Sequence, residues 1–170
     1  GTPDGSAFDV LIVGGGIVGS GVARDAAMRG LRTLLVEQSD FASGTSSRSS
    51  RLLHGGLRYL AQGRIGLVRE ASLEKLRLSR IAPHLCQPLP FLFPVWPGEG
   101  PPRWKLAIGV KLYDLLCGGR NLGASSMLGP RAILERAPGL RADGLKGGTR
   151  HFDALTCDAR LVLDTLRSAE

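Results

Sequence analysis

The sequence predicts an α/β fold built on a right-handed βαβ unit, and three observations in the first forty residues carry that expectation. Residues 9–13 are an apolar run, Val10, Leu11, Ile12 and Val13 after Asp9, that ends in a glycine cluster. Such a run fits a fully buried parallel strand. Residues 17–29 carry Val18, Val22, Ala26 and Ala27 with small residues between them, a surface suited to close packing on a sheet. Gly30 follows as a helix-terminating residue, because it tolerates the left-handed conformation. Thr33, Leu34, Leu35 and Val36 then form a second apolar run that stops at Glu37. Strand, helix and strand within about 30 residues make a βαβ unit, which is right-handed almost without exception.

The later elements follow in order. Residues 39–50 are mostly Ser, Gly, Thr and Ala, the composition of a loop. A helix is expected over 67–82, with Val68, Ala71, Leu76 and Leu78 apolar and Pro83 closing it. Seven of the ten prolines lie in 83–102, around the run 89–93, which argues for irregular chain and an edge strand. A helix over about 103–117, a break at Gly118 and Gly119, and a short helix over 130–137 with Pro at its first turn come next. Asp158 reads as the N-cap of a last helix carrying Ala159, Val162 and Leu166. The expected organisation is a disordered tail over 1–7 and one domain over 8–170, with the βαβ unit at about 9–37 and inserted helices and edge strand at about 60–150. The chain begins without Met and stops inside a helical pattern, so the expected domain is the amino-terminal part of a longer protein, incomplete at its carboxyl end.

Composition narrows the partners. Hydrophobic residues make up 43% and charged residues 22%, ordinary for a soluble globular chain. The net charge of +7 favours an anionic partner, whether a phosphorylated small molecule, an acidic membrane surface or nucleic acid. Only 5% of residues are aromatic and no zinc-finger, RRM-like or heptad pattern occurs, so nucleic acid is not expected. Cys86, Cys117 and Cys157 are odd in number and widely spaced, with no secretory signal before them, which points to reduced thiols in the cytoplasm. His54, His84 and His151 have no ligand spacing, and no metal is expected. No apolar run reaches the roughly 20 residues that span a bilayer.

Gly14, Gly16 and Gly19 form a G-x-G-x-x-G pattern. The pattern alone is weak, but here it follows a strand, opens a helix and precedes an acidic residue at the end of the next strand. Gly14 permits the tight turn, Gly16 lets the backbone approach a pyrophosphate, and Gly19 lets the helix lie close on the strands. The helix start offers free N–H groups and a favourable dipole to phosphate. Glu37 stands 23 positions after Gly14, where it can accept from both ribose hydroxyls and would repel a 2′-phosphate. The expected class is a Rossmann-type FAD/NAD(P)-binding domain. The motif does not choose between NAD and FAD, and a non-catalytic nucleotide-binding module stays open at this point.

The run 41–60, FASGTSSRSSRLLHGGLRYL, strongly resembles the FAD-dependent glycerol-3-phosphate dehydrogenases, which carry a stretch of the form SGTSSxSSxLxHGGLRYL at the same distance after the acidic residue. Segments at 67–71, 82–84, 88–91, 111–114 and 158–161 look like segments of that family in the same order, so the resemblance covers residues 8–167. Gly63 and Gly66 stand where bulkier residues are expected near a helix start, and Cys157 where the family usually has an acidic residue.

The resemblance implies FAD as cofactor and oxidation of sn-glycerol 3-phosphate to dihydroxyacetone phosphate. Hydride would pass from C2 to flavin N5, with electrons going on to a membrane quinone. Alternatives are a related oxidase using oxygen, or another amino- or hydroxy-acid oxidase on the same scaffold. The resemblance further implies catalytic roles for His54, as base or orienting group on the reacting hydroxyl, and Arg58, on phosphate or developing negative charge. Ser43, Thr45, Ser46 and Ser47 offer hydroxyls to pyrophosphate and ribityl oxygens, and Gly55 and Gly56 allow close approach to a flat ring. The apolar face of the 103–117 helix, Trp104, Ala107, Ile108, Leu112, Leu115 and Leu116 with Arg103, Lys105 and Lys111 beside them, suits either packing into the parent's core or peripheral contact with the cytoplasmic membrane, and delivery of electrons to a quinone favours the membrane.

Overall fold

A computed structural model describes residues 7–118 and 121–170. Residues 1–6 of the expected tail, and Gly119 of the expected glycine break, lie outside the described residues. In chain order the elements are β1 (Val10–Val13), α1 (Ile17–Met28), β2 (Thr33–Val36), β3 (Leu52–Leu53), α2 (Leu57–Leu60), α3 (Ile65–Ile81), β4 (Gln87–Pro94), α4 (Arg103–Leu116), β5 (Ser126–Leu128), α5 (Pro130–Arg136), β6 (Gly148–Leu155) and α6 (Asp158–Arg167). Short 3₁₀ turns occupy Thr45–Ser47 and Pro83–Leu85. The elements fall into two compact units, one of the described residues up to 51 together with 156–170, the other of the described residues from 52 to 155.

The first unit is the expected βαβ. β1 and β2 pair in parallel, in register from Val10 opposite Thr33 to Val13 opposite Val36. α1 buries Ser20, Ala23 and Ala26, while Val18 and Val22 are exposed. The close-packing stripe is therefore the small residues rather than the valines. Gly30 (φ 75°) ends α1 as expected: its N–H donates to Ala27 O, and the Leu31 N–H donates to Ala26 O. That pair of bonds is a Schellman motif, which needs a left-handed residue at this position. Two expectations are corrected. β1 is buried on one face only: Ile12 is covered, but Val13 is 81% exposed, because no second layer among the described residues lies over that face. Asp158 is not the N-cap of α6. Cys157 holds that position, and Asp158 sits in the first turn, where its carboxylate accepts from Ser49 Oγ. An acid there still faces the positive end of the helix dipole.

The second unit is an antiparallel sheet covered by helices. β6 is its spine: β4 pairs along one side over its whole length, and β3 and β5 pair along the other. β4 is the expected edge strand. The Val95 N–H donates to Gly147 O, and by the alternation of an antiparallel ladder Pro88, Pro90 and Pro94 turn their missing donors away from β6. Val68 and Leu76 of α3 pack with Tyr113 of α4 and with Cys117, and Leu57, Tyr59 and Leu60 lie against that cluster. α3 starts two residues before the expected helix and buries Ser72 and Lys75 beside Val68 and Leu76, so its inner face is not wholly apolar. α5 begins with Pro130 in its first turn, as expected.

Candidate nucleotide cradle and a braced histidine–arginine segment

The glycine motif of the first unit makes a turn with open space in front of it. Gly14 (φ 106°) donates its N–H to Val36 O at 2.8 Å, in a conformation that a side chain resists. A Cβ on Gly19 would collide with Gly14 O, so this glycine is needed by the fold itself. Gly16 differs. It caps α1, and no atom lies within 4 Å of where its Cβ would stand. No acidic residue occupies the first turn of α1, so its dipole faces the cleft unopposed.

Glu37 comes off the end of β2 toward the same turn. One carboxylate oxygen accepts the Gly15 N–H at 2.7 Å and the other accepts the Ser39 N–H at 2.9 Å. The Gly15 amide first and the Ser39 amide second hold the carboxyl below its usual range, against the opposing effect of desolvation. Each oxygen keeps a lone pair for a further donor. The cleft over this turn has a volume of about 540 Å³ and is lined by Gly14, Gly16, Gly19, Glu37, Ser43, Thr45 and Ser46 among others. Ser47 is not part of that lining. Its hydroxyl donates to Ala42 O at 2.5 Å and braces the loop from behind. Open space at Gly16, an unopposed helix N-terminus and an ionised acid with spare lone pairs fit the pyrophosphate and ribose of a dinucleotide.

His54, Gly55, Gly56 and Arg58 all belong to the second unit. His54 and Arg58 are exposed, and the two glycines between them are buried. Arg58 Nη2 donates to Tyr59 OH at 3.1 Å and its guanidinium lies 5.0 Å from the centre of that ring. This contact lowers the Tyr59 phenol below its usual range, chiefly through the hydrogen bond. Gly55 and Gly56 both have reasons within the unit to be glycine. A Cβ at Gly55 would meet Ser72 Oγ and the Tyr113 hydroxyl, and Gly56 (φ 71°) turns the chain into α2 with Tyr59 against it.

Beneath the segment lies a polar group that the sequence reading missed. Lys75 Nζ contacts Asp153 Oδ1 at 2.7 Å, Asn121 Oδ1 at 3.0 Å, and Tyr113 OH and Phe152 O at 3.4 Å. Tyr113 OH donates to Asp153 Oδ1 at 2.5 Å and accepts from Gly55 N at 2.8 Å. His151, stacked between Phe91 and Phe93, places Nε2 3.7 Å from Asp153 Oδ2. Burial, then the neighbouring Asp153 charge, push the Tyr113 phenol far above its usual range. For Asp153, burial acts upward, but His151, Lys75 and Tyr113 together outweigh it and hold the carboxyl below its usual value. One sequence signal was there to find: Lys75 is a lone charge on the buried stripe of α3, seven residues after Val68.

α4 is split lengthwise. Val110 and Tyr113 face the core, whereas Trp104, Ile108 and Leu115 are 66%, 60% and 70% exposed. Ala107, Leu112 and Leu116 are half-buried, Lys105 is exposed, and Lys111 Nζ donates to Ser125 O. No helix of the described residues is long and apolar enough to cross a membrane, and no group of three or more His, Cys, Asp or Glu among them could hold a metal.

The chain belongs to the FAD dependent oxidoreductase family, whose model matches residues 9–170. FAD is the cofactor of that family, and the cradle described above fits it. The chain is 50% identical over 167 residues to a glycerol-3-phosphate dehydrogenase of Mycobacterium leprae, covering 95% of this chain and 28% of that protein. It is 45% identical over 165 residues to an alpha-glycerophosphate oxidase of Streptococcus pyogenes, covering 95% of this chain and 27% of that protein. Among solved structures, the glycerol-3-phosphate dehydrogenase of Bacillus halodurans complexed with FAD superposes with a TM-score of 0.62 at 34% identity, over 97% of this chain and 25% of that one. This chain thus spans about a quarter of the length of each relative.

Proposed function

We propose that a full-length protein containing this chain oxidises sn-glycerol 3-phosphate to dihydroxyacetone phosphate with bound FAD. The observation that carries the reading is the 50% identity, sustained over 95% of the chain, to a protein named for that substrate. FAD, when bound, supplies a two-electron acceptor for the hydride leaving C2 of the alcohol. Gly14, Gly16 and the start of α1 hold its pyrophosphate, Glu37 accepts from its ribose, and Ser43, Thr45 and Ser46 offer further hydrogen bonds. Gly55 and Gly56 leave two positions between His54 and Arg58 without side chains. The Arg58 guanidinium, always charged and exposed, pairs with the substrate phosphate. His54, when neutral, takes or orients the C2 hydroxyl proton.

The proposed electron acceptor is a membrane quinone, reached by a protein that works in the cytoplasm and lies on the inner membrane face. Support comes from the exposed stripe of Trp104, Ile108 and Leu115 beside Lys105 on α4, which suits an anionic interface. A second reading, oxygen as acceptor, is favoured by the 45% identity to an oxidase. Reoxidation separates the two. The holoprotein, reduced anaerobically with glycerol 3-phosphate, is mixed with a short-chain quinone or with dissolved oxygen. Reoxidation much faster with quinone is expected; fast reoxidation by oxygen and none by quinone would make it an oxidase.

A further inference from the structure

We propose that Lys75, Asp153 and Tyr113 form a buried brace that fixes the backbone of Gly55 and so sets where His54 and Arg58 stand, making them positioning residues for the chemistry proposed above, on which this inference rests. Lys75 and Asp153 have side chains only 1% and 5% exposed. A buried ion pair seldom stabilises a core more than apolar residues of the same volume, so stability alone gives no reason for charges among Val68, Leu76 and Cys117. An apolar pair cannot supply a hydrogen-bond acceptor of fixed direction. Gly55 needs one, because it is buried and its N–H has no strand partner.

The polarity of the chain of bonds follows from the groups. Lys75 only donates, and its three protons are shared among Asp153 and Asn121, which are nearest, and Tyr113 OH and Phe152 O at 3.4 Å. Ionised Asp153 only accepts, so the single Tyr113 proton points to Oδ1 and the phenol lone pairs face Gly55 N–H. Three elements, α3, α4 and β6, therefore converge on one backbone amide. The fit is tight: a methyl group at position 55 would meet Ser72 Oγ and Tyr113. The next residue, Gly56, makes the left-handed turn that leads into α2 and Arg58. A shift at Gly55 is thus passed to His54 on one side and Arg58 on the other, and small displacements of reacting groups cost rate steeply.

The test uses the full-length holoprotein. Tyr113→Phe keeps the ring and removes the nearer acceptor of the Gly55 N–H, leaving only Asp153 Oδ1 at 3.5 Å. The expected result is unchanged FAD content, about tenfold faster amide exchange in the 54–58 peptide, and about a tenfold loss in kcat/KM for glycerol 3-phosphate, the size of one lost buried hydrogen bond. Ile133→Val, buried on α5 outside the brace, is the stability control: its thermal midpoint falls with neither exchange nor kinetics changed. Combined Lys75→Met and Asp153→Leu removes both charges at similar volume; it is expected to fold and to show the same loosened segment. Wild-type exchange and kinetics in Tyr113→Phe overturn the brace. If the wild-type flavin is not reduced by glycerol 3-phosphate at all, the functional reading is what fails, and the exchange comparison still decides whether the brace exists.

Discussion

Gly16 and Gly19 lie in one turn of the same motif, yet they are glycine for different reasons, and substitution separates those reasons. Gly16 faces open space, so Gly16→Val meets nothing in the chain itself. The full-length variant is expected to melt as the wild type does when both lack cofactor, and to bind no FAD, because the branched side chain fills the pyrophosphate site. Gly19→Ala drives a Cβ into Gly14 O and is expected to lose roughly 1–3 kcal/mol of stability even without cofactor. Stoichiometric FAD in purified Gly16→Val would remove the cradle from the account. Asp153 carries a second expectation. Its folded-state carboxyl titrates below the usual value, so its stabilising contribution is complete above the unfolded value of about 3.9. That contribution is lost as pH falls through the folded value. Asp153→Asn is expected to be weaker near neutral pH by about 3–5 kcal/mol, since Lys75 loses its partner, and to lose less on acidification. Urea midpoints measured from pH 7 down to roughly pH 3 check this; parallel curves for the two proteins would contradict it. These two sites also show what a sequence can reveal at this scale. Glycine spacing and a following acid are local demands of a turn, and they can be read directly. Lys75, Tyr113 and Asp153 are 38 to 78 residues apart, so only the fold brings them together.

Among the elements, those marked by local punctuation were legible and those defined by long-range pairing were not. Gly30 ends α1, Pro130 starts α5 and the prolines confine β4 to an edge, each through a backbone property of one residue. β6 is the spine of its sheet, yet nothing local in its sequence marks it as a strand. Its start is hidden by Gly147 and Gly148, and its Thr149, His151 and Asp153 are buried polar residues, so the usual apolar alternation is absent. Both glycines are required by close neighbours: a Cβ would strike Leu128 O at the first and Phe93 O at the second. β1 reads as apolar on both faces, whereas the described residues cover one. α4 gives the element-scale expectation. Trp104→Ser with Lys105→Glu alters only exposed positions, and leaves Lys111 on Ser125 O. In flotation with anionic liposomes the wild-type full-length protein should rise with the lipid and the double variant should stay behind. Equal flotation of both would assign the stripe on α4 to a protein contact instead.

At the scale of the whole molecule, the unit that carries the glycine motif has a sheet of two strands whose Leu11, Val13, Leu34 and Val36 are exposed, and the chain spans 28% of the mycobacterial relative. Residues 1–170 by themselves are therefore expected not to oxidise glycerol 3-phosphate; turnover by this chain alone, measured with a dye acceptor, would show the catalytic set to be complete within it. Fold class and family were legible because the βαβ unit and the 41–60 run are contiguous in sequence. The second unit, residues 52–155, takes in the insertion expected at about 60–150, and α6 returns to the first unit. The most direct measurement is an anaerobic titration of the full-length holoprotein with sn-glycerol 3-phosphate, followed in the flavin's visible absorbance. Complete bleaching, with one dihydroxyacetone phosphate formed per FAD, is the expected result. A flavin that stays oxidised with glycerol 3-phosphate but bleaches with an amino acid or another hydroxy acid would contradict it.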